Sequence, residues 1–375
     1  MTRPTNSQGA PVAENGPTNT VQTHSSLSPE TQDKTCQRAG HLSSLRTKIV
    51  SAFVALSAIA CAALGYAAFF QARDAVVMQE RVILDLINRE KKYATLDILE
   101  RAENAASAAT VSSPLEVFAT LDREILDGER EQILSTYADP DLLAKERANI
   151  VGEDSGTLYG WLHASIHPNL KGRWEADSLT DIMLIGPDGH VLYTVIKGDD
   201  FLMKLDELEA PALSEVVERA KNGPRGGVSL SHPAPYAPAG GELSIFVAAP
   251  AYDDNDTFLG VAVSRIAMSR LVTNWTMIDV RHPGVQTAFI AKDGTYLKHF
   301  TLPDEELQGR KFAEDYFAAA EGAYVVATPG EPAGYASIAP LTFQGHSFGI
   351  ISEISLRDAH QPVRRMRNAM GITSV

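Results

Sequence analysis

Residues Asp181 to Leu205 read DIMLIGPDGHVLYTVIKGDDFLMKL, and this stretch decides the fold. Two apolar runs, Ile182–Ile185 and Val191–Ile196, flank the tripeptide Pro187-Asp188-Gly189. Proline presets φ, aspartate can close a turn with its side chain, and glycine accepts a positive φ. Two apolar runs joined by such a tripeptide predict a β-hairpin.

A second stretch repeats this pattern about a hundred positions later. Residues Thr287 to Phe300 read TAFIAKDGTYLKHF, with Asp293-Gly294 where the first stretch has Asp188-Gly189. One hairpin of this kind can arise by chance, whereas two indicate a duplicated domain.

The duplication extends beyond the two hairpins. FVAAPAYDDNDTFLGVAVSRI (Phe246 to Ile266) follows the first hairpin, and SIAPLTFQGHSFGIISEI (Ser337 to Ile354) follows the second. In each, an apolar strand is predicted to end at a proline, Pro250 or Pro340, before a polar turn and another strand. The fold class is therefore predicted as α+β, with two antiparallel sheets that each carry helices on one face.

Composition limits the class of protein. The chain has 375 residues, 44% of them hydrophobic, so it can form two or three domains with substantial cores. A net charge of -14 provides no basic face for phosphates, which excludes nucleic acid as a partner. The two cysteines, Cys36 and Cys61, precede the globular part, so a disulfide framework and cysteine-based metal sites or nucleophiles are excluded there.

Residues Ile49 to Phe70 contain no charged side chain and predict a membrane-spanning helix. These 22 residues would reach roughly 33 Å as a helix, enough for the hydrocarbon core of a bilayer. Arg46 and Lys48 precede the run, which favours the N-terminal side as cytoplasmic. We therefore expect a disordered cytoplasmic tail over residues 1–44, a transmembrane helix over 45–70, and a membrane protein with an extracytoplasmic globular part.

Two processed forms compete with an uncleaved anchor. A cleaved signal peptide also has an apolar segment, although its charged region would here be more than forty residues long. A lipoprotein signal would place a lipid on Cys61, which follows Ala58-Ile59-Ala60.

Residues 71–112 predict a long stalk helix, because Arg73 to Ala109 contains neither proline nor glycine. Its apolar positions are separated by 4, 7, 4, 7 and 4 residues: Ile83, Ile87, Ala94, Ile98, Ala105 and Ala109. An eleven-residue repeat stays close to the natural period of 3.6, so it predicts a nearly straight helix.

The remaining chain is predicted to form two lobes and a returning helix. The membrane-distal lobe spans residues 113–267 and the membrane-proximal lobe 268–354. Residues 355–375 carry Arg364, Arg365 and Arg367 before AMGITSV, where an apolar run begins. This pattern predicts a helix that leads to a second, missing transmembrane segment.

With these features in place, the chain resembles the double-Cache sensor region of bacterial methyl-accepting chemotaxis proteins. The resemblance rests on the Asp181–Leu205 stretch and on YAPAGGELSIFVAAPAYDDNDTFLGVAV from Tyr236, and it covers roughly Gln71 to Met370. It implies two PAS-like lobes, a small-molecule ligand bound in the membrane-distal lobe, a homodimer in the bacterial inner membrane, and cytoplasmic signalling proteins as partners if a C-terminal output domain exists. There are two alternative functions. The chain could be the sensor region of a histidine kinase or diguanylate cyclase, or it could be a stand-alone membrane-anchored envelope binding protein.

Six residues of the first lobe are predicted to bind ligand, on the ground that they lie where a pocket wall is expected. They are Arg173, Trp174, Tyr193, Tyr236, Phe246 and Asp253. Arginine can grip a carboxylate with two hydrogen bonds while aromatic rings cover an apolar ligand body. The resemblance implies an arginine with aromatic residues before the first hairpin, and Arg173-Trp174 is a partial counterpart of these. It also implies a later aspartate, for which Asp253 is the candidate. The competing interpretation assigns Tyr193 and Phe246 to the core and Trp174 to a helix end.

No catalytic residue, metal site or cofactor is predicted. His163 and His167 are four apart and would share one helical face, but no acidic residue completes a metal motif and Pro168 is expected to end the helix. The sequence lacks G-x-S-x-G, H-E-x-x-H, a phosphate-binding glycine loop and a dinucleotide fingerprint. The expected activity is therefore binding without covalent chemistry.

Overall fold

The computed structural model describes residues 37–111, 114–119, 121, 123–279, 282, 284–300, 322–326 and 334–369. Residues 1–36 of the predicted tail and the last residues of the predicted C-terminal helix lie outside these ranges. The chain divides into two compact units, Met1–Ala68 and Phe69–Val375. All sites described below lie in the second unit.

The first element is a single helix, α1, which runs from Gln37 to Val111. The long N-terminal helix is confirmed, although it begins at Gln37 rather than at residue 45. Among the described residues it is the one helix that is long and apolar enough to cross a membrane, with a mean hydropathy of 2.1 over its most apolar window.

The buried face of α1 follows the eleven-residue repeat, with polar side chains in the same stripe. Buried positions recur at Leu84 and Thr95, and at Ile87, Ile98 and Ala109. These intervals are 11 residues, as predicted. Of the six predicted positions, Ile87, Ile98, Ala105 and Ala109 are buried, whereas Ile83 and Ala94 are only half-buried. The stripe also contains buried polar residues that the repeat did not predict: Asn88, Lys91 and Thr95.

Four helices and a hairpin follow α1. The helices are α2 (Pro114–Ala119), α3 (Arg123–Tyr137), α4 (Ala144–Arg147) and α5 (Leu158–Ala176). Strands β1 (Asp181–Ile185) and β2 (Val191–Thr194) form the predicted first hairpin. Its turn has Gly189 at a φ of 86°, the conformation for which glycine is suited.

The first sheet is completed after helix α6 (Pro211–Lys221). Its other strands are β3 (Ser229–Leu230), β4 (Ala234–Tyr236), β5 (Glu242–Tyr252) and β6 (Phe258–Ala267). The strand order is β2-β1-β6-β5-β3, with β4 also paired to β5. All described pairings in this sheet are antiparallel.

Helix α7 (Met268–Asp279) leads from the first sheet into a second one. The second sheet contains β7 (Val285–Ala291), β8 (Tyr296–His299), β9 (Gly322–Val326), β10 (Gly334–Phe343) and β11 (His346–Ser355). Two short helices end the described chain, α8 (Leu356–Ala359) and α9 (Gln361–Ala369).

The two sheets share one topology. The second sheet has the order β8-β7-β11-β10-β9, which matches the first strand for strand. The two Asp-Gly hairpins also share a register shift, between Leu184 and Ile185 in one and between Phe289 and Ile290 in the other. The duplicated antiparallel module predicted from the sequence is therefore confirmed.

The two prolines do not end their strands, contrary to prediction. Strand β5 continues through Pro250 to Tyr252, and β10 continues through Pro340 to Phe343. Among the described residues, the edge strand beside each proline pairs only with residues that precede the proline, so no described strand on that side requires an N–H donor from it.

Hydrophobic packing differs on the two faces of the first sheet. One face packs on α1, α2 and α5, and this core extends through α7 to Phe289 and Ile350 of the second sheet. The other face packs on α6, with Met183, Phe246 and Val263 among the buried residues. The core on the α1 side is thus continuous between the sheets, whereas the α6 side belongs to the first sheet alone.

Candidate functional site

Four buried polar side chains meet on the α6 face of the first sheet: Asp181, Asp200, Tyr236 and Arg265, here called the carboxylate–arginine cluster. Asp181 begins β1 and is the cross-strand partner of Arg265 in β6. Asp200 follows β2, and its Oδ2 accepts a 2.5 Å hydrogen bond from the Tyr236 hydroxyl. The Arg265 guanidinium lies 5.1 Å from the centre of the Tyr236 ring. None of the four is more than 3% exposed.

The backbone satisfies only part of this cluster. Asp181 Oδ1 accepts hydrogen bonds from the N–H groups of Ile182 and Val195, at 2.8 and 2.9 Å. Three other buried atoms have no hydrogen-bond partner among the described residues: Asp181 Oδ2, Asp200 Oδ1 and Arg265 Nε. An unpartnered polar atom in the interior is costly, and these three atoms belong to side chains of one cluster.

Burial also changes the acidity of the two carboxyl groups. The pKa of Asp181 is raised, first by burial and then by repulsion from Asp200, against a smaller opposing effect of Arg265. The pKa of Asp200 is raised by burial, and the Tyr236 hydrogen bond and Arg265 partly offset this. The effect of burial therefore outweighs that of Arg265, and each carboxyl group favours its protonated form more than a free aspartate does.

Glu242 connects this cluster with the surface. Its Oε2 lies 3.4 Å from Arg265 Nη2, and its side chain is one third exposed. Glu242 also lines a cleft of about 750 Å³, here called the α7 cleft. The cleft residues come from the β4–β5 connection, α7 and the β8 region: Pro235, Gly240, Gly241, Glu242, Leu243, Met268, Ser269, Val272, Leu297, Lys298 and Phe300.

A second buried polar group, the histidine–lysine cluster, lies on the α5 side: His163, His167, Tyr193 and Lys197. His163 Nδ1 donates to the Val151 carbonyl oxygen at 2.8 Å, because a carbonyl can only accept. His167 Nε2 likewise donates to a backbone carbonyl, so its Nδ1 accepts from the Tyr193 hydroxyl at 2.8 Å. Both histidines are thus neutral with defined tautomers.

The two histidines lie in an environment that disfavours positive charge. Burial, followed by repulsion from Lys197, lowers the pKa of His163 to about 2 and that of His167 to about 3. Burial lowers the pKa of Lys197 to about 7, although Asp181 opposes this shift. The Lys197 amine lies 5.5 Å from the Tyr193 ring centre and 5.8 Å from that of Tyr137. This cluster is therefore a source of acid sensitivity.

Replacing His163 by phenylalanine should reduce the acid sensitivity of folding. The unfolded chain protonates this histidine below about pH 6.5, whereas the folded chain keeps it neutral well below that pH, so stability is present above pH 6.5 and is lost on acidification. Each such histidine lowers the free energy of unfolding by about 1.4 kcal/mol for each pH unit of acidification. His163→Phe should therefore make the free energy of unfolding less dependent on pH, by about this amount per unit, between pH 6 and 4. Urea unfolding across this range measures it. His232→Phe, at a half-exposed side chain, is the control, and parallel curves for His163→Phe and the unaltered chain would contradict the assignment.

The structure separates the six residues predicted to bind ligand. Tyr236 and Phe246 lie together on the α6 face, with ring centres 5.1 Å apart. Tyr193 is buried on the opposite face, in the histidine–lysine cluster. Asp253 lies in the β5–β6 turn, where its Oδ1 accepts hydrogen bonds from the N–H groups of Asn255 and Thr257.

The predicted arginine–tryptophan pair lies near the end of α5. Trp174 donates from Nε1 to the Thr180 carbonyl oxygen at 3.0 Å and packs against the core on the α1 side. Arg173 is half-buried. Helix α5 itself runs through Pro168, contrary to the expectation that this proline ends it. The His163–His167 pair is consequently buried inside a continuous helix, with the rings stacked at 4.4 Å.

Sequence reasoning missed Asp181, Asp200 and Arg265, although two of them left a signal. Arg265 interrupts the apolar strand FLGVAVSRIA, and Asp181 opens the apolar strand DIMLI. A charged residue inside a buried strand is rare unless it is paired. Asp200 lies in a polar segment and carries no comparable signal.

No family model and no curated protein sequence matches this chain. Among solved structures, an extracellular ligand binding receptor from Desulfohalobium retbaense is similar at 12% identity and a TM-score of 0.43. The match covers 73% of this chain but only 39% of the receptor. The periplasmic sensory domain of the Campylobacter jejuni chemoreceptor Tlp1 is similar at 14% identity over 76% of this chain and 99% of that domain, with a TM-score of 0.47.

A third similar structure is the ligand binding domain of the Pseudomonas aeruginosa chemoreceptor PctC, solved with GABA. It shares 14% identity over 67% of this chain and 99% of its own length, with a TM-score of 0.35. The solved structures that this chain resembles are thus sensory and ligand-binding domains.

Proposed function

We propose that this chain is the extracytoplasmic sensor region of a membrane-anchored chemotaxis receptor of the double-Cache type, and that it binds a small molecule at the carboxylate–arginine cluster. The observation that carries the proposal is the group of three buried polar atoms without partners: Asp181 Oδ2, Asp200 Oδ1 and Arg265 Nε. Such groups are paired in the great majority of native interiors, so a bound ligand is a natural partner for them.

The ligand carries a primary amine or another cationic group. Two carboxylates face one arginine in this cluster, and both carboxyl pKa values are raised by burial. A ligand ammonium would compensate the negative charge of these carboxyl groups when they ionise, and it can donate to Asp181 Oδ2 or Asp200 Oδ1. Arg265 Nε remains a donor for an acceptor atom elsewhere on the same ligand.

A screen with matched compounds tests this function. The full chain in lipid nanodiscs is heated with a panel of small primary amines and with the corresponding alcohols. We expect one or more amines to raise the melting temperature saturably, because a ligand that binds only the folded state stabilises it. The alcohols should have no effect. No shift with any amine, or equal shifts with amines and alcohols, would contradict an amine-binding site.

The proposed mechanism requires binding energy and no covalent step. A ligand shifts an equilibrium between two arrangements only by its difference in affinity for them. The apolar part of α1 is proposed to anchor the sensor in the bacterial inner membrane, with the sheets on the periplasmic side. A mean hydropathy of 2.1 over its most apolar window supports the role of α1 as a membrane anchor.

The sensor is further proposed to form a homodimer through an exposed stripe on α1. Four large apolar side chains of the stripe are at least 58% exposed: Met78, Val82, Leu86 and Tyr93. At 3.6 residues per turn they lie within one narrow arc of the helix. A second copy held in the same membrane is the partner favoured by effective concentration, and a two-fold axis would place the stripe against itself.

Replacing Leu86 by glutamate should weaken such a dimer at least about tenfold, because the contact would bury an unpaired charge. Mass photometry of the full chain in detergent, over a range of concentrations, measures the dimer fraction. Ile125→Glu also places a charge at an exposed apolar position, outside the stripe, and is the matched control. Equal dimer fractions in the two variants would exclude the stripe as the interface.

A further inference from the structure

Glu242 joins the carboxylate–arginine cluster to helix α7. One carboxylate oxygen, Oε2, lies 3.4 Å from Arg265 Nη2, and the other, Oε1, accepts a hydrogen bond from the Ser269 hydroxyl. Ser269 lies in the first turn of α7. A single side chain therefore touches both the buried arginine and the helix that leads to the second sheet.

Helix α7 in turn contacts α1 through a buried tryptophan. Trp275 is 1% exposed, and its Nε1 donates to Thr95 Oγ1 of α1 at 3.2 Å. Its ring packs against Phe289 and Phe300, with ring centres 6.3 and 5.2 Å away. The Thr95 hydroxyl donates to the Lys91 carbonyl oxygen at 2.8 Å. Packed contacts of this kind can couple the positions of the two helices, and such coupling can be measured.

Glu242 holds its position on Arg265 only weakly. The contact at 3.4 Å is long for a charge-assisted hydrogen bond, and the Glu242 side chain is one third exposed along the α7 cleft. Glu242 can therefore exchange Arg265 for water, with the loss of its hydrogen bond from Ser269, whereas the arginine side chain, 4% exposed, cannot reach water. A ligand carboxylate that accepts from both Nε and Nη2 of Arg265 would replace Glu242 rather than join it, because Glu242 Oε2 lies against Nη2.

We propose that Glu242 is a positioning residue that occupies Arg265 in the unliganded state, and that its release by ligand loosens α7 and shifts α1 through the Trp275–Thr95 contact. The signalling role of this link, from Arg265 through Glu242 and α7 to α1, rests on the proposed function, because the ligand is what displaces Glu242. The link itself is a property of the unliganded protein. It can therefore be tested without any ligand.

Amide hydrogen exchange on the full chain in nanodiscs tests the link. Glu242→Ala should raise exchange about tenfold in the first turns of α7, because a charge-assisted contact is lost. It should also raise exchange about threefold in α1 between residues 91 and 99, through Trp275. Asp254→Ala removes an exposed carboxylate from the β5–β6 turn and should change neither segment. If Glu242→Ala does not fold, Glu242→Gln keeps the size and removes the charge.

A second variant separates a link from a general loss of stability. Trp275→Phe keeps an aromatic ring but removes the donor to Thr95. In that background Glu242→Ala should still affect α7 but should no longer affect α1, which is a coupling that a double-mutant cycle measures. Unchanged α1 exchange in Glu242→Ala, or the same α1 change in both backgrounds, would overturn the link even if amines bind. A negative amine screen would overturn the ligand site and leave the exchange result standing.

Discussion

Replacing Arg265 by methionine should lower the free energy of unfolding by about 3–5 kcal/mol, the expected cost of removing one partner from a buried charged network. Asp181 and Asp200 would remain buried and would lose the positive charge that lowers the pKa of each. Methionine keeps much of the apolar stem, so the loss reflects charge more than volume. Chemical unfolding of the full chain in detergent, followed by tryptophan fluorescence, measures the change.

A second substitution tests the cause. Asp181→Asn in the Arg265→Met background should recover a large part of the lost stability, because it removes one uncompensated carboxylate. Arg225→Met is the control, since Arg225 pairs with Asp256 on the surface and both side chains are more than half exposed. A surface pair contributes at most about 1 kcal/mol. If Arg265→Met and Arg225→Met destabilise equally, the cluster does not depend on its arginine.

Replacing Asp200 by asparagine should have opposite effects on stability and on binding. Burial raises the pKa of Asp200, so the ionised form is costly in the folded protein. Asparagine has nearly the same shape without the charge, and its oxygen can still accept from the Tyr236 hydroxyl. We expect the free energy of unfolding to rise by about 1–2 kcal/mol, and the affinity for the most stabilising amine of the screen to fall at least about a hundredfold.

The pH dependence gives this prediction its sign. The pKa of Asp200 is higher in the folded state than in the unfolded state. The free-energy cost of ionising the buried carboxyl group therefore appears as pH rises and disappears on acidification. The stability gain of Asp200→Asn should therefore be larger at pH 8 than at pH 5. Unfolding at both values, with calorimetric titration of the amine, checks both parts. Asp254→Asn should change neither quantity, and a less stable Asp200→Asn that still binds amine would contradict this role of the cluster.

Much of the fold followed from short-range patterns. The two Asp-Gly turns, the alternation around them and the eleven-residue repeat of α1 concern residues close together in the chain, and each yielded the element that the structure contains. The strand ends at Pro250 and Pro340 were wrong, because a proline is tolerated within a strand where the described part of the neighbouring edge strand does not pair with it. That condition depends on a partner strand that local pattern does not reveal.

The candidate site shows the same division. Tyr236 and Phe246 were named from the sequence and lie together, whereas Tyr193 was named on the same ground and points to the opposite face of the sheet. Strand alternation predicts that a strand has two faces, but it does not say which face meets which helix. Only the packing of α5 on one face and α6 on the other assigns each aromatic to a cluster.

The linear chain was sufficient for the duplicated sheets and the apolar helix, because periodicity and turn chemistry act between neighbours and need no distant partner. The meeting of Asp181, Asp200 and Arg265 was decided by the tertiary structure alone. Asp181 and Arg265 are neighbours only because β1 and β6 are adjacent in the sheet. Asp200 joins them through its hydrogen bond with Tyr236, which lies on another strand. Burial then raises the pKa values of the two carboxyl groups, and burial is a property of the whole fold.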